Sequence, residues 1–141
     1  MEGNLKYHHA SHSKFVLKYH FIFSCKYRHK LFKDNQPLAE EIKGLFYDIA
    51  AKSKFTIDVM EIDPSEPDHI HVLVDAPPTI SPKQIASRLK GQSTFHIWKT
   101  NEEYLKEFYW KERTFWSDGY FVCTTGDAST ATIRKYIERQ G

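Results

Sequence analysis

Only two cysteines, Cys25 and Cys123, occur in the 141 residues, and both lie in strand-like runs with no C-x-x-C spacing. That scarcity gives no disulfide framework and suits reduced thiols, so a cytoplasmic setting is expected. Long apolar runs are also missing. No stretch reaches the roughly 20 residues that a bilayer crossing needs, and no signal-peptide pattern opens the chain, so no membrane partner is expected. Charge of one sign is scarce too. Twenty Lys and Arg against 18 Asp and Glu leave a formal net charge of +2, too little to infer nucleic-acid binding from charge alone. The phosphate-cradling pattern G-x-x-x-x-G-K-[ST] is absent, so nothing points to nucleoside triphosphate chemistry. Repeats, low-complexity tracts and interdomain linkers are lacking as well. The chain reads as a flexible N-terminal tail over 1–13 and one domain over 14–141, long enough to bury roughly two-thirds of its unfolded surface.

What the chain does have is aromatic weight and clear periodicity. Aromatics make up 15% of residues. In the run from Lys14 to Cys25, Phe15, Leu17, Tyr19, Phe21 and Phe23 alternate with Lys18, His20 and Ser24, which is the period of a half-buried strand. Pro37 starts a helix in which Leu38, Ile42, Leu45, Phe46 and Ile49 recur at helical spacing. FTIDVMEID forms a second strand, and a turn from Pro64 to Pro67 leads into a third, HIHVLV, its hairpin partner. Ser81 and Pro82 give an N-cap and first-turn proline for a second helix that should carry Ile85, Leu89, Phe95 and Trp98 inward. A fourth strand follows at Tyr120–Thr125. The order βαββαβ, with a further helix at the C-terminus, predicts an α+β, ferredoxin-like antiparallel sheet with helices on one face.

The most informative segment is DHIHVLVD, Asp68 to Asp75. Side chains alternate along a strand, so His69 and His71 leave the same face, about 6–7 Å apart, while Ile70, Val72 and Val74 face a core. Two imidazoles so placed can close on one divalent ion. The other reading, two polar residues on an exposed face, stays open on this segment alone. Asp68 and His20 fall close enough in the sheet to tune such a site, although Asp68 also reads as a turn residue.

The last segment, TATIRKYIERQ, reads as a helix capped by Asp127 or Ser129. Tyr136 and Gln140 are four apart and share a face, beside an apolar stripe of Ile133 and Ile137. By spacing alone, Tyr136 reads first as an amphipathic contact at a helix–sheet junction. Basic residues cluster in KYRHK, where Lys26, Arg28 and Lys30 surround Tyr27, and again at Lys83, Arg88 and Lys90. Each cluster is either a solvated face or a set of phosphate contacts, and Tyr27 could stack on a base.

Taken in order, LKYHFIFSCKYRHKLF, DHIHVLVD, SPKQIASRLKGQST, FWSDGYFVCTTG and TIRKYIERQ resemble the single-tyrosine HUH transposases. These are the small TnpA-type enzymes of insertion sequences that move as single-stranded DNA. The resemblance spans Lys14 to Gln140. It implies that His69 and His71 are metal ligands flanking Ile70, that Gln140 is the third ligand, and that Tyr136 is the nucleophile. It implies Mg²⁺ or Mn²⁺ as cofactor, although imidazoles also accept zinc or nickel. It further implies single-stranded DNA and DNA hairpins as partners, a homodimer with the tyrosine helix in cis or in trans, and cleavage through a 5′-phosphotyrosine. Lys26, Tyr27, Arg28, Lys30, Arg88 and Lys90 are the candidate DNA contacts. Two other functions remain in view: a domesticated HUH single-strand endonuclease acting on palindromic repeats, and a non-catalytic single-stranded nucleic-acid binder. The absence of a second tyrosine near Tyr136 argues against the larger HUH initiators.

Overall fold

Alternation in the first run is read out directly in a computed structural model of the chain, which describes residues 17–125. The expected N-terminal tail, Tyr136 and Gln140 lie outside the described residues. Strand β1, Leu17–Ser24, sends Tyr19, Phe21 and Phe23 into the core. Helix α1, Gln36–Ser53, begins where the Asn35 side chain accepts the Leu38 amide at 3.2 Å. It ends at Lys54, whose left-handed φ of 68° turns the chain back toward the sheet. Strand β2 is Thr56–Ile62 and strand β3 is His69–Ala76. Helix α2, Pro82–Lys106, starts with a complete capping box: Ser81 Oγ accepts the Gln84 amide, and the Gln84 side chain accepts the Ser81 amide. Strand β4, Phe121–Thr125, closes the described chain.

The four strands form one antiparallel sheet in the order β2-β3-β1-β4, which is the ferredoxin-like arrangement the element order predicts. Register is fixed by burial. Phe21 opposite Val72 and Phe23 opposite Ile70 put large apolar pairs on the helix-covered face. A slip of one residue would expose the whole set. Against them pack Ile42, Phe46 and Ile49 of α1 and Ile85, Leu89, Ile97 and Trp98 of α2. Burial of each such side chain contributes about 1.5–3 kcal/mol before entropy is counted. The Trp98 indole donates to the Thr114 carbonyl at 2.8 Å, so this core ring carries no unmet donor.

One expected core residue is placed differently. Phe95 is 61% exposed, with the Lys99 ammonium 4.2 Å from its ring centre. The inward line of α2 runs through Leu89, Ser93 and Ile97 instead. Ser93 occupies the core position because its hydroxyl accepts the Trp116 indole N–H at 3.0 Å. A polar residue satisfied by a tryptophan is invisible to apolar periodicity; Ile85, Leu89 and Trp98 are buried as expected, and of the four only Phe95 is turned outward. No helix among the described residues is long and apolar enough to cross a membrane.

Candidate active site

His69 and His71 leave β3 on the face opposite the helices, and both line a cleft of about 650 Å³. Ile22, Ser24, Asp63, Glu66, Tyr120 and Phe121 also border it. His69 is partly exposed, whereas His71 is buried. Each imidazole has its Nδ1 engaged by a neighbour. His69 Nδ1 lies 3.0 Å from Asp68 Oδ1. A carboxylate only accepts, so His69 carries its proton on Nδ1, and the Nε2 lone pair is left for a cation. His71 Nδ1 lies 3.1 Å from His20 Nε2, with the two rings stacked at 5.3 Å. One proton serves that contact. When His71 donates it, its own Nε2 is the acceptor nitrogen of the ring.

Asp68 is the centre of a short relay. Its second oxygen accepts from Arg28 Nε, so guanidinium, carboxylate and His69 imidazole form a chain. Burial works against the charge of Asp68, but hydrogen bonds from Arg28 and His69 outweigh it and hold the carboxyl below the usual range. The Arg28 side chain remains 60% exposed, with its Nη2 4.0 Å from Glu66 Oε2. Backbone hydrogen bonds pin this corner. The Cys25 amide donates to the Asp68 carbonyl at 2.8 Å, and the Phe32 amide to the Pro67 carbonyl at 3.1 Å. Between them, Tyr27 and Arg28 both adopt left-handed backbone, φ 61° and 58°. Such geometry costs a non-glycine residue about 1–2 kcal/mol. Here it turns the Arg28 side chain back onto Asp68.

Burial, and then the charge of His71, holds the His20 pKa down to about 4 from 6.5. Burial and the proximity of His69 also lower His71, against the pull of Asp63 and Glu66. Both groups have folded values below their unfolded ones. Their stabilising effect is therefore complete above pH 6.5 and is lost as pH falls below it, for His20 toward about 4. Thermal melts of the metal-free protein should show a falling Tm across that window and a level Tm above it. A His20→Gln variant should show a shallower fall.

The candidate DNA contacts divide into two groups. Lys26, Tyr27, Arg28 and Lys30 lie together on the turn after β1, joined to the imidazole cleft through Asp68. Arg88 and Lys90 lie on α2, in the layer on the other side of the sheet from His69 and His71. The Lys90 ammonium donates to the Asp118 carbonyl at 2.8 Å and stands 5.6 Å from the Tyr120 ring centre, which ties it to the loop before β4. Sequence reading left Asp68 ambiguous and gave no pairing for Arg28. The adjacency of Asp68 to His69 was the available signal; the arginine, 40 residues earlier, had none.

Known proteins place this arrangement. The family model described as IS200-like transposase matches residues 13–140. ISDra2 transposase TnpA of Deinococcus radiodurans is 32% identical over 126 residues, covering 89% of this chain and 85% of that protein. The IS200 transposase of Salmonella typhimurium is 29% identical over 130 residues, covering 92% and 80%. A crystal structure from Deinococcus radiodurans, assigned as a transposase, superposes with a TM-score of 0.70 at 28% identity, covering 99% and 98%. A REP-associated tyrosine transposase bound to a REP hairpin shares the fold at TM-score 0.58 and 10% identity, covering 93% of this chain and 70% of that one. With the motif order, the sheet order and the paired imidazoles in agreement, the chain belongs to the IS200-like, single-tyrosine HUH transposases.

Proposed function

We propose that this transposase cuts and rejoins single-stranded DNA beside hairpins at element ends, by metal-assisted attack of Tyr136 on a phosphodiester. The observation that carries the reading is the pair of strand-borne imidazoles in one cleft, each with its Nδ1 engaged by a neighbour. The donor set fits a divalent cation: two Nε2 atoms held on a rigid strand, with Asp63 and Glu66 lining the same cleft. Among the described residues, no set of three His, Cys, Asp or Glu ligands is present, and we assign the third position to the Gln140 side-chain oxygen. A bound Mg²⁺ or Mn²⁺ would supply Lewis acidity toward the scissile phosphate.

The chain's own residues do the rest. His69 and His71 would hold the ion over the scissile phosphate, and Asp68 fixes the His69 tautomer. Tyr136 gives its phenol proton to water and attacks phosphorus as the phenolate; the phosphorus–O3′ bond breaks as the 5′-phosphotyrosine bond forms, and the departing oxygen takes a proton from water to become a free 3′-OH. Attack of a 3′-OH on that link reverses the step and rejoins DNA, so the bond energy stays in the phosphodiester. Lys26, Arg28 and Lys30 hold the DNA backbone beside the cleft, with Arg88 and Lys90 as outer contacts. Residues 14–141 act as one domain, paired as a homodimer. The solved relative that holds a REP hairpin supports a hairpin substrate.

A labelled hairpin oligonucleotide with a flanking single strand tests this reading. Incubation with the protein should give a covalent adduct on denaturing gels, lost on chelation and restored by Mn²⁺. Hairpin retention with no adduct under any metal would instead favour the non-catalytic binder.

A further inference from the structure

A second recess lies outside the imidazole cleft and is not used by the chemistry above. It has a volume of about 250 Å³ and is lined by Tyr27, Phe108, Tyr109, Trp110, Lys111 and Glu112. We propose that this recess binds one unpaired nucleobase of the DNA strand.

The argument starts from exposure. Tyr27 is 66% exposed and Trp110 is 74% exposed, although more than half of the large aromatics among the described residues are buried. Neighbouring exposed rings of this size mark a binding surface more often than chance does. Tyr27 is also presented deliberately. Its backbone is left-handed, a strained state for a tyrosine, and the turn beneath it is fixed by Tyr109, whose hydroxyl donates to the Lys26 carbonyl at 2.8 Å. The Tyr27 and Tyr109 ring centres lie 6.3 Å apart, so the buried ring forms a wall for the exposed one.

Charge then selects the occupant. The Lys26 ammonium stands 5.6 Å from the Tyr27 ring centre, Lys111 lines the recess, and Arg28 and Lys30 adjoin on the same turn. These cations suit the phosphates on either side of a nucleotide. Inside the recess, however, stands Glu112, 3.7 Å from Lys26. A carboxylate there disfavours a phosphate and offers an acceptor to the amino edge of a base. Aromatic faces, flanking cations and an internal acceptor together fit a base better than an anion or an aliphatic side chain. The same turn reaches His69 through Arg28 and Asp68, so one strand can serve both places.

The test uses the full chain in chelator, so that binding is read without cleavage and independently of Tyr136 and the metal. A single-stranded oligonucleotide is titrated by Trp fluorescence, and the titration is repeated with an abasic site stepped along it. Trp98 and Trp116 are buried, so quenching should come from Trp110 and vanish in Trp110→Phe. Tyr27→Ala, read by Trp110 quenching, and Trp110→Ala, read by the fluorescence anisotropy of an end-labelled copy of the oligonucleotide, should each weaken binding about 5- to 150-fold. One abasic position should cause a similar loss in the parent and no further loss in either variant. Circular dichroism checks that both variants are folded, and Tyr27→Phe should restore binding by keeping a stacking face. Parent-like affinity in both folded variants would overturn the proposal, as would losses that simply add at every abasic position.

Discussion

Tyr136→Phe is expected to abolish covalent capture of DNA and to slow strand cutting by about 10⁴- to 10⁶-fold, the usual cost of deleting a nucleophile. Hairpin affinity should stay near that of the parent, because the phenyl ring keeps the shape of the side chain and removes only the attacking oxygen. In the parent, the rate should rise with pH, since a phenol with an ordinary pKa near 10 is mostly protonated at neutrality. Denaturing gels and single-turnover kinetics on the labelled hairpin measure both effects. Tyr120 is the informative control. It is 37% exposed and lines the same cleft as His69 and His71. An adduct that survives in Tyr136→Phe and disappears in Tyr120→Phe would move the nucleophile to β4's leading edge. If Tyr136 is correct, Tyr120→Phe cuts normally, because its ring contacts Phe21 and Phe23 are kept.

The fold was legible where a local rule and a buried face agreed. Alternation of Tyr19, Phe21 and Phe23 located β1, and Ser81 with Pro82 located the start of α2 to the residue. The histidine pair was legible for the same reason: a period of two assigns a face without knowledge of the rest of the chain. Failures came where a partner far along the chain decides the outcome. Ser93 takes the inward place on α2 because Trp116, 23 residues later, donates to it, and Phe95 is turned out as a result. Arg28 reads as one more cation in a basic turn until left-handed backbone at two successive residues brings it to Asp68. The recess at Trp110 was missed because its walls come from segments about 80 residues apart, joined by the Tyr109 hydroxyl.

That long-range pairing sets up a graded expectation at the cleft. His69→Ala removes a proposed ligand outright, so cutting should fall about 10³-fold or more, the several kcal/mol a positioned Lewis acid contributes. Excess Mn²⁺ should not restore it. Asp68→Asn differs in kind. The amide keeps the size of the side chain, and its oxygen can accept from either Arg28 or His69, but it lacks the charge that holds both at once. His69 then samples both tautomers, and the one protonated on Nε2 cannot coordinate. Metal affinity should fall about 10- to 100-fold, the range seen when a carboxylate behind a histidine ligand is lost. Because the defect lies in affinity, raising Mn²⁺ should recover most of the rate in Asp68→Asn. Titration calorimetry with Mn²⁺ alone and rate against metal concentration measure the two effects separately. A loss in Asp68→Asn that no metal concentration repairs would assign Asp68 to holding the Arg28 turn in place, with no influence on the imidazole.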